Sequence, residues 1–277
     1  MKNHALRVLA LPLFFVTSHL CSLECGIFAK NEGKKPVTKL VFFSERCSGS
    51  NYVQSLIQLN AKAKIDYDPF IHKHFPPWYD LPIEEYLGDP KHYTLDGTDE
   101  YLFIVVFRDP YDWARSLNML PWYADARLFK LSFSAFIRAP WLIDYSDPTI
   151  VQNQAMNPLL DRNIVTEESF RNIFELRTAK IRNMFLMKDK VKNIYYVKYE
   201  TVRDNSKAFL REIEALYNMP MNPFFTPVIF YKGDRSQGIY QEKRYDSISL
   251  SDLYYINSQL DETLENEIGY RLTYTLE

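Results

Sequence analysis

A chain of 277 residues can bury a full hydrophobic core and form one α/β domain of about 240 residues behind an N-terminal extension. With 47% hydrophobic and 25% charged residues, the composition is that of a globular protein and excludes both global disorder and a polytopic membrane protein. A net charge of −2 excludes the strong positive field of a protein that coats nucleic acid, so anion recognition has to be local.

Lys2 and Arg7 followed by the apolar run Val8 to Val16 read as the charged and hydrophobic regions of a signal peptide or short anchor over residues 1–29. That run is shorter than the roughly 20 residues a membrane span needs, so membrane association is expected through the N-terminus only. The segment points to the secretory pathway, lumenal or secreted, and a cut is expected after Ala29. The chain offers no N-x-[ST] glycan acceptor. Cys21 and Cys25 fall in this extension, which leaves Cys47 alone in the domain and no disulfide to staple it. The polar residues 30–36 read as a linker, and the domain is expected over 37–277.

Val37 to Phe43 is β-branched and aromatic and reads as a strand. A small-residue loop, Ser44 to Asn51, follows, then a helix from Tyr52 to Lys62 with Val53, Leu56 and Ile57 on one face. Tyr67 to Leu87 is rich in Pro, His and aromatics, too broken for a long helix. Tyr101 to Phe107 is apolar without alternation, as a parallel strand covered on both faces requires. Asp109 then caps a helix that Pro110 opens and that runs to about Leu120. Glu167 to Lys188 reads as a helix, Ile194 to Tyr199 as a strand, and Asn205 to Asn218 and Leu250 to Leu264 as helices. Lys188 to Lys192 reads as a solvated helix end. Strands alternating with helices predict a single α/β domain with a doubly wound parallel sheet of about five strands flanked by helices. Ligands bind such a sheet beyond the carboxyl ends of its strands.

Two candidate motifs fall there. In the loop Ser44 to Asn51, backbone N–H groups and a helix start form an anion site, Gly49 allows a close backbone approach, and Ser48, Ser50 and Asn51 add short polar groups. Arg46 offers a fork suited to phosphate or sulfate oxygens. The loop lacks the G-x-x-x-x-G-K-[ST] lysine, which disfavours ATP or GTP hydrolysis. The second motif is Arg108-Asp109-Pro110 with Ser116 eight residues after the arginine. Ser116 lies about two turns into the helix, so its hydroxyl and the long Arg108 side chain can meet around one phosphate. The plainer alternative for Arg108 is a pairing with Asp112 or with a helix carbonyl.

These residues resemble the sulfotransferases that use 3'-phosphoadenosine 5'-phosphosulfate (PAPS), whose fold is similar to that of P-loop NTPases. Ser48-Gly49-Ser50-Asn51-Tyr52 is similar to the family's 5'-phosphosulfate loop, and Arg108-Asp109-Pro110 with Ser116 to its 3'-phosphate element. Val197-Lys198-Tyr199-Glu200 and Ile268-Gly269-Tyr270 look like its second half, so the resemblance spans about residues 38–272. The resemblance implies a PAPS donor, no metal, and binding by Arg46, Ser48, Gly49, Ser50, Asn51, Tyr52, Arg108 and Ser116. It departs at Cys47, where the family usually carries a basic residue. His72-Lys73-His74-Phe75-Pro76 is similar to the family's segment that holds the base. His74 is then the candidate base, with His72 as the alternative, and Lys73 the stabiliser of the leaving group. The tract Tyr231 to Arg244 matches a late loop that closes over the donor, with Arg235, Lys243 or Arg244 as candidate phosphate contacts. Trp78, Trp122 and Trp141 either shape an acceptor groove or pack the core. The implied acceptor is a glycan or small molecule bearing a hydroxyl or amine. The alternatives are a P-loop nucleotide-dependent phosphotransferase and a non-catalytic PAPS-binding relative.

Overall fold

A computed structural model of the chain describes residues 23–66, 74, 98–143, 163, 168–230 and 238–275. Five strands, β1 (Gly26–Asn31), β2 (Lys39–Ser44), β3 (Lys64–Ile65), β4 (Tyr101–Phe107) and β5 (Asn193–Lys198), lie in the order β1-β5-β4-β2-β3. β2 runs parallel to β3 and β4, β4 runs parallel to β5, and β1 pairs antiparallel with β5 at the edge. The helices are α1 (Ser50–Asn60), α2 (Pro110–Met119), α3 (Phe133–Phe136), α4 (Ile173–Lys190), α5 (Tyr199–Asp204), α6 (Ser206–Tyr217), α7 (Leu250–Gln259) and α8 (Glu262–Glu267). The protein is therefore α/β, with a mostly parallel five-strand sheet flanked by helices.

The period-two geometry of a strand explains how one apolar run serves two cores. Leu40, Phe42, Leu102, Ile104, Val106 and Val197 face α1 and α6, meeting Val53, Leu56, Ile57, Phe209 and Ile213. The intervening Val41, Phe43, Phe103, Val105, Phe107 and Tyr196 pack with Ile181 and Met184 of α4 and Leu264 of α8. Both faces are covered, which is why β4 shows no polar alternation.

Local chemistry moves several predicted boundaries. α4 starts at Ile173 rather than near Glu167, because the Asn172 side chain accepts from the Phe174 and Glu175 N–H groups at 2.9 and 3.0 Å. The predicted helix over Leu250 to Leu264 is two helices: Asp261 interrupts it and caps the second, accepting from Leu264 N–H at 3.1 Å. Ser50 rather than Tyr52 opens α1.

The boundary drawn at residue 36 is the main correction to the domain limits. β1 spans Gly26–Asn31, across the expected leader and linker, and Cys25 is buried in the core facing α6. The Glu212 carboxylate of α6 accepts from the N–H groups of Glu24, Cys25 and Gly26 at 2.7, 2.8 and 3.1 Å. A cut after Ala29 would remove most of this edge strand. Residues 1–22, Tyr67 to Leu87 apart from His74, and Arg235 lie outside the described residues. No described helix is long and apolar enough to cross a membrane.

Candidate functional site

The sharp turn between β2 and α1 takes two left-handed residues, Cys47 at φ 61° and Gly49 at φ 82°. Gly49 stands at the helix start with no side-chain cap, and Gly49, Ser50, Asn51 and Tyr52 line a cavity of about 410 Å³. That volume suits a small-molecule ligand. The reason for glycine differs from the expected one: a Cβ at position 49 would stand 2.2 Å from the Tyr199 ring, so the close approach is to that ring.

Arg46 and Ser48 correct the sequence reading, since neither lines the cavity. Arg46 is fully buried beneath the loop, with Nη1 3.1 Å from Glu45 Oε1 and its guanidinium over the rings of Tyr123 and Trp141 at 5.6 and 5.4 Å. A carboxylate and two aromatic faces hold that charge in the core, so it cannot act as a fork in the cavity. Ser48 is likewise buried, its N–H bonded to Glu45 O at 3.2 Å. Trp141 belongs to the core, whereas Trp122 lines the cavity.

The strand end and the capped helix of the second motif form as predicted. Asp109 accepts from the N–H groups of Tyr111 and Asp112 at 3.0 and 2.9 Å, and Pro110 fills the first turn of α2. Arg108 and Ser116 both line the cavity. Arg108 Nη1 donates to Cys47 O at 2.8 Å and Nη2 to the Tyr245 hydroxyl at 2.9 Å. Its buried Nε has no partner among the described residues. Asp112 pairs with Arg115 instead, so Arg108 does not take it as a partner, and the carbonyl that Arg108 meets is that of Cys47 in the loop. The Cys47 thiol sits between the Ser116 hydroxyl and Leu120 O, the latter at 3.6 Å. Burial pushes the thiol up from its ordinary value, and the opposing pull of Arg108, Ser116 and Lys243 does not outweigh it.

The two second-half segments brace this motif. Glu200 accepts from Asp109 N–H at 3.0 Å and from the Tyr270 hydroxyl at 2.7 Å. Arg177 of α4 donates to Arg108 O at 2.9 Å while its guanidinium grips Glu265 at 2.6 and 2.8 Å.

His74 is buried at the cavity wall, where its Nδ1–H donates to Ser44 O at 2.9 Å. A carbonyl only accepts, so in the neutral ring the proton is on Nδ1 and the lone pair on Nε2. Lys180 Nζ donates to His74 O at 2.9 Å. His72 and Lys73 lie outside the described residues. From the late tract, Tyr240, Gln241, Glu242 and Lys243 line the cavity and Arg244 does not. The hydroxyls of Tyr240 and Tyr199 meet at 2.6 Å, and Arg203 pairs with Glu242 at 2.6 Å.

No protein-family model matches the chain, and no curated protein matches it. The chemistry therefore has to be read from the cavity itself. A guanidinium, a hydroxyl and the backbone of a helix start converge there, a combination suited to oxyanions, with an imidazole at the same wall. Among the described residues no group of three or more His, Cys, Asp or Glu could hold a metal ion. Arg177 and Lys180 escaped the sequence reading, while Glu45 and Tyr199 entered it only as members of the loop and of a second-half segment. For α4 the signal was present: Ile173, Arg177, Lys180, Met184 and Met187 recur at four- and three-residue spacing, which puts two cations on an apolar stripe.

Proposed function

We propose that this protein is a sulfotransferase with a P-loop-like donor site, transferring a sulfuryl group from PAPS to an acceptor hydroxyl or amine. The observation that carries the reading is the convergence of Arg108 and Ser116 with the Gly49 loop and His74 on one cavity. The Arg108 guanidinium gives the donor's 3'-phosphate an ionic partner, with Ser116 lining the same cavity. The loop from Gly49 to Tyr52 presents the start of α1 to the 5'-phosphosulfate. When bound, PAPS supplies an electrophilic sulfur and a bisphosphate leaving group. His74 Nε2 takes the acceptor's proton as the acceptor oxygen bonds to sulfur and the bond from sulfur to the phosphate oxygen breaks. Lys73 is assigned to the leaving oxygen by resemblance alone. The acceptor proposed first is a glycan met in the secretory pathway; a small phenol or alcohol fits the same chemistry.

A second reading, donor binding without turnover, is favoured by one specific feature: Cys47 stands where the family carries a basic residue, and Arg46 is turned into the core. Calorimetry with adenosine 3',5'-bisphosphate and with magnesium ATP, followed by transfer of labelled sulfate from PAPS to a panel of glycans and phenols, separates the readings. Bisphosphate binding with transfer supports the sulfotransferase, and binding without transfer to any acceptor supports the second reading. Turnover of magnesium ATP without bisphosphate binding rejects both in favour of a phosphotransferase.

A further inference from the structure

Helix α4 carries two buried cations one turn apart, and each donates to the main chain of a site residue. Arg177 donates to Arg108 O and is neutralised by Glu265. Lys180, with no exposed surface, donates to His74 O at 2.9 Å and pairs with Glu45 Oε2 at 2.7 Å. Glu45 follows β2 directly and roots the glycine loop, its Oε1 accepting from Arg46 N–H at 2.7 Å. Arg46 O in turn accepts from the Trp113 indole N–H of α2 at 2.8 Å.

Such a cluster is a poor device for stability, because desolvating each ion costs several kcal/mol and apolar residues of similar volume often do as well. What apolar packing would not supply is direction. Lys180 fixes the main chain of His74, Ser44 O fixes its ring, and Glu45 ties both to the loop that lines the cavity.

We infer that Lys180 is a positioning residue, which sets the imidazole of His74 against the glycine loop through the buried Lys180–Glu45 ion pair. The inference rests on the sulfotransferase reading for its catalytic consequence but not for its geometry. Lys180 acts through His74, so its loss is felt in turnover and not in donor affinity.

The test is the variant Lys180→Met, which removes the ion pair and leaves the buried Glu45 carboxylate paired with Arg46. Three quantities are compared with the wild type: affinity for adenosine 3',5'-bisphosphate, turnover of PAPS, and the nitrogen NMR signals of the His74 imidazole, assigned with His74→Ala. The expected result is a folded variant whose bisphosphate affinity is within about twofold of wild type. Turnover falls on the order of 10²-fold, the cost of a small misplacement of a reacting group. The imidazole signals move from a fixed Nδ1–H tautomer toward an average of the two. Unchanged turnover and imidazole signals in the folded variant overturn the inference, as does a parallel fall in bisphosphate affinity and turnover. If the variant does not fold, Lys180→Gln, which removes the charge and keeps a polar side chain beside Glu45, decides with the same readouts. Should the wild type itself transfer nothing, the sulfotransferase reading fails while the imidazole signals still decide the role of Lys180.

Discussion

The Arg108 guanidinium donates to the Tyr245 hydroxyl at 2.9 Å, so one face of the candidate phosphate ligand is already engaged by the residue that directly follows the late tract. Tyr245 is held there by Arg115, whose guanidinium lies 5.1 Å from the tyrosine ring and whose Nη1 donates to Asp246 O at 2.8 Å. In the proposed donor complex, a 3'-phosphate that bonds Nη2 displaces the neutral hydroxyl that now occupies it. Tyr245→Phe removes the competitor and keeps the ring, so the variant should bind adenosine 3',5'-bisphosphate more tightly by about 1 kcal/mol, the net worth of one such bond. Calorimetry measures this directly. Weaker binding would mean that the hydroxyl serves the ligand instead.

Arg108→Ala should weaken bisphosphate binding by about 1.5–3 kcal/mol, the range for hydrogen bonds to charged groups. Ser116→Ala should cost less, since it removes one neutral hydroxyl. An Arg108→Ala protein with wild-type affinity in calorimetry would remove the 3'-phosphate from this wall of the cavity. A melting curve of the unliganded variant belongs beside that measurement, because Arg108 also donates to Cys47 O.

His74→Ala should lower sulfuryl transfer by about 10²–10⁴-fold, the usual contribution of a positioned base. Bisphosphate affinity should stay near wild type, because the ring is held by Ser44 O and not by the residues assigned to the phosphates. Retained transfer would shift the role of base to His72.

The central strands, the Asp109 cap and the Arg108/Ser116 pair were legible in sequence because each rests on local chemistry: an apolar run, a short acceptor before a proline, a spacing along one helix. β1 was not, because it is an edge strand paired with the distant β5 and entered through Glu24, Cys25 and Gly26, whose N–H groups meet Glu212 186 to 188 residues away. Arg46 was misread for a related reason. Its direction is decided by Glu45, Tyr123 and Trp141, and two of those are distant in the chain. A fork in a loop shows its donors but not the core that claims them.

Gly49→Ala should destabilise the protein by more than about 1–2 kcal/mol, the cost of a left-handed non-glycine residue, because the new methyl also meets the Tyr199 ring. Urea unfolding of a double-mutant cycle with Tyr199→Ala separates the two contributions. In the Tyr199→Ala background the clash is gone, and only the backbone cost should remain. Equal penalties in both backgrounds would show that the ring is not what requires glycine here.

Cys47 provides the pH-dependent test. Burial raises its thiol above the ordinary cysteine value, so at neutral pH it holds less thiolate than a free cysteine, despite Arg108 and Lys243 nearby. Alkylation by iodoacetamide at pH 7 should therefore be slow, with a rate that climbs only above the ordinary thiol range near 8.5. Cys25 contributes little background, its buried thiol being pushed up to about 11, and a Cys47→Ser control subtracts the rest. Because the folded value lies above the unfolded one, the stability tied to this thiol is fully present below the unfolded pKa and is lost as pH rises through the folded one. Arg108→Ala removes the largest lowering influence and should slow alkylation further, whereas alkylation faster than that of a free cysteine would identify a reactive thiolate at the helix start. A bound bisphosphate, by claiming Arg108, should act in the same direction as the alanine. The alkylation rate thus reports occupancy of the phosphate wall without requiring turnover.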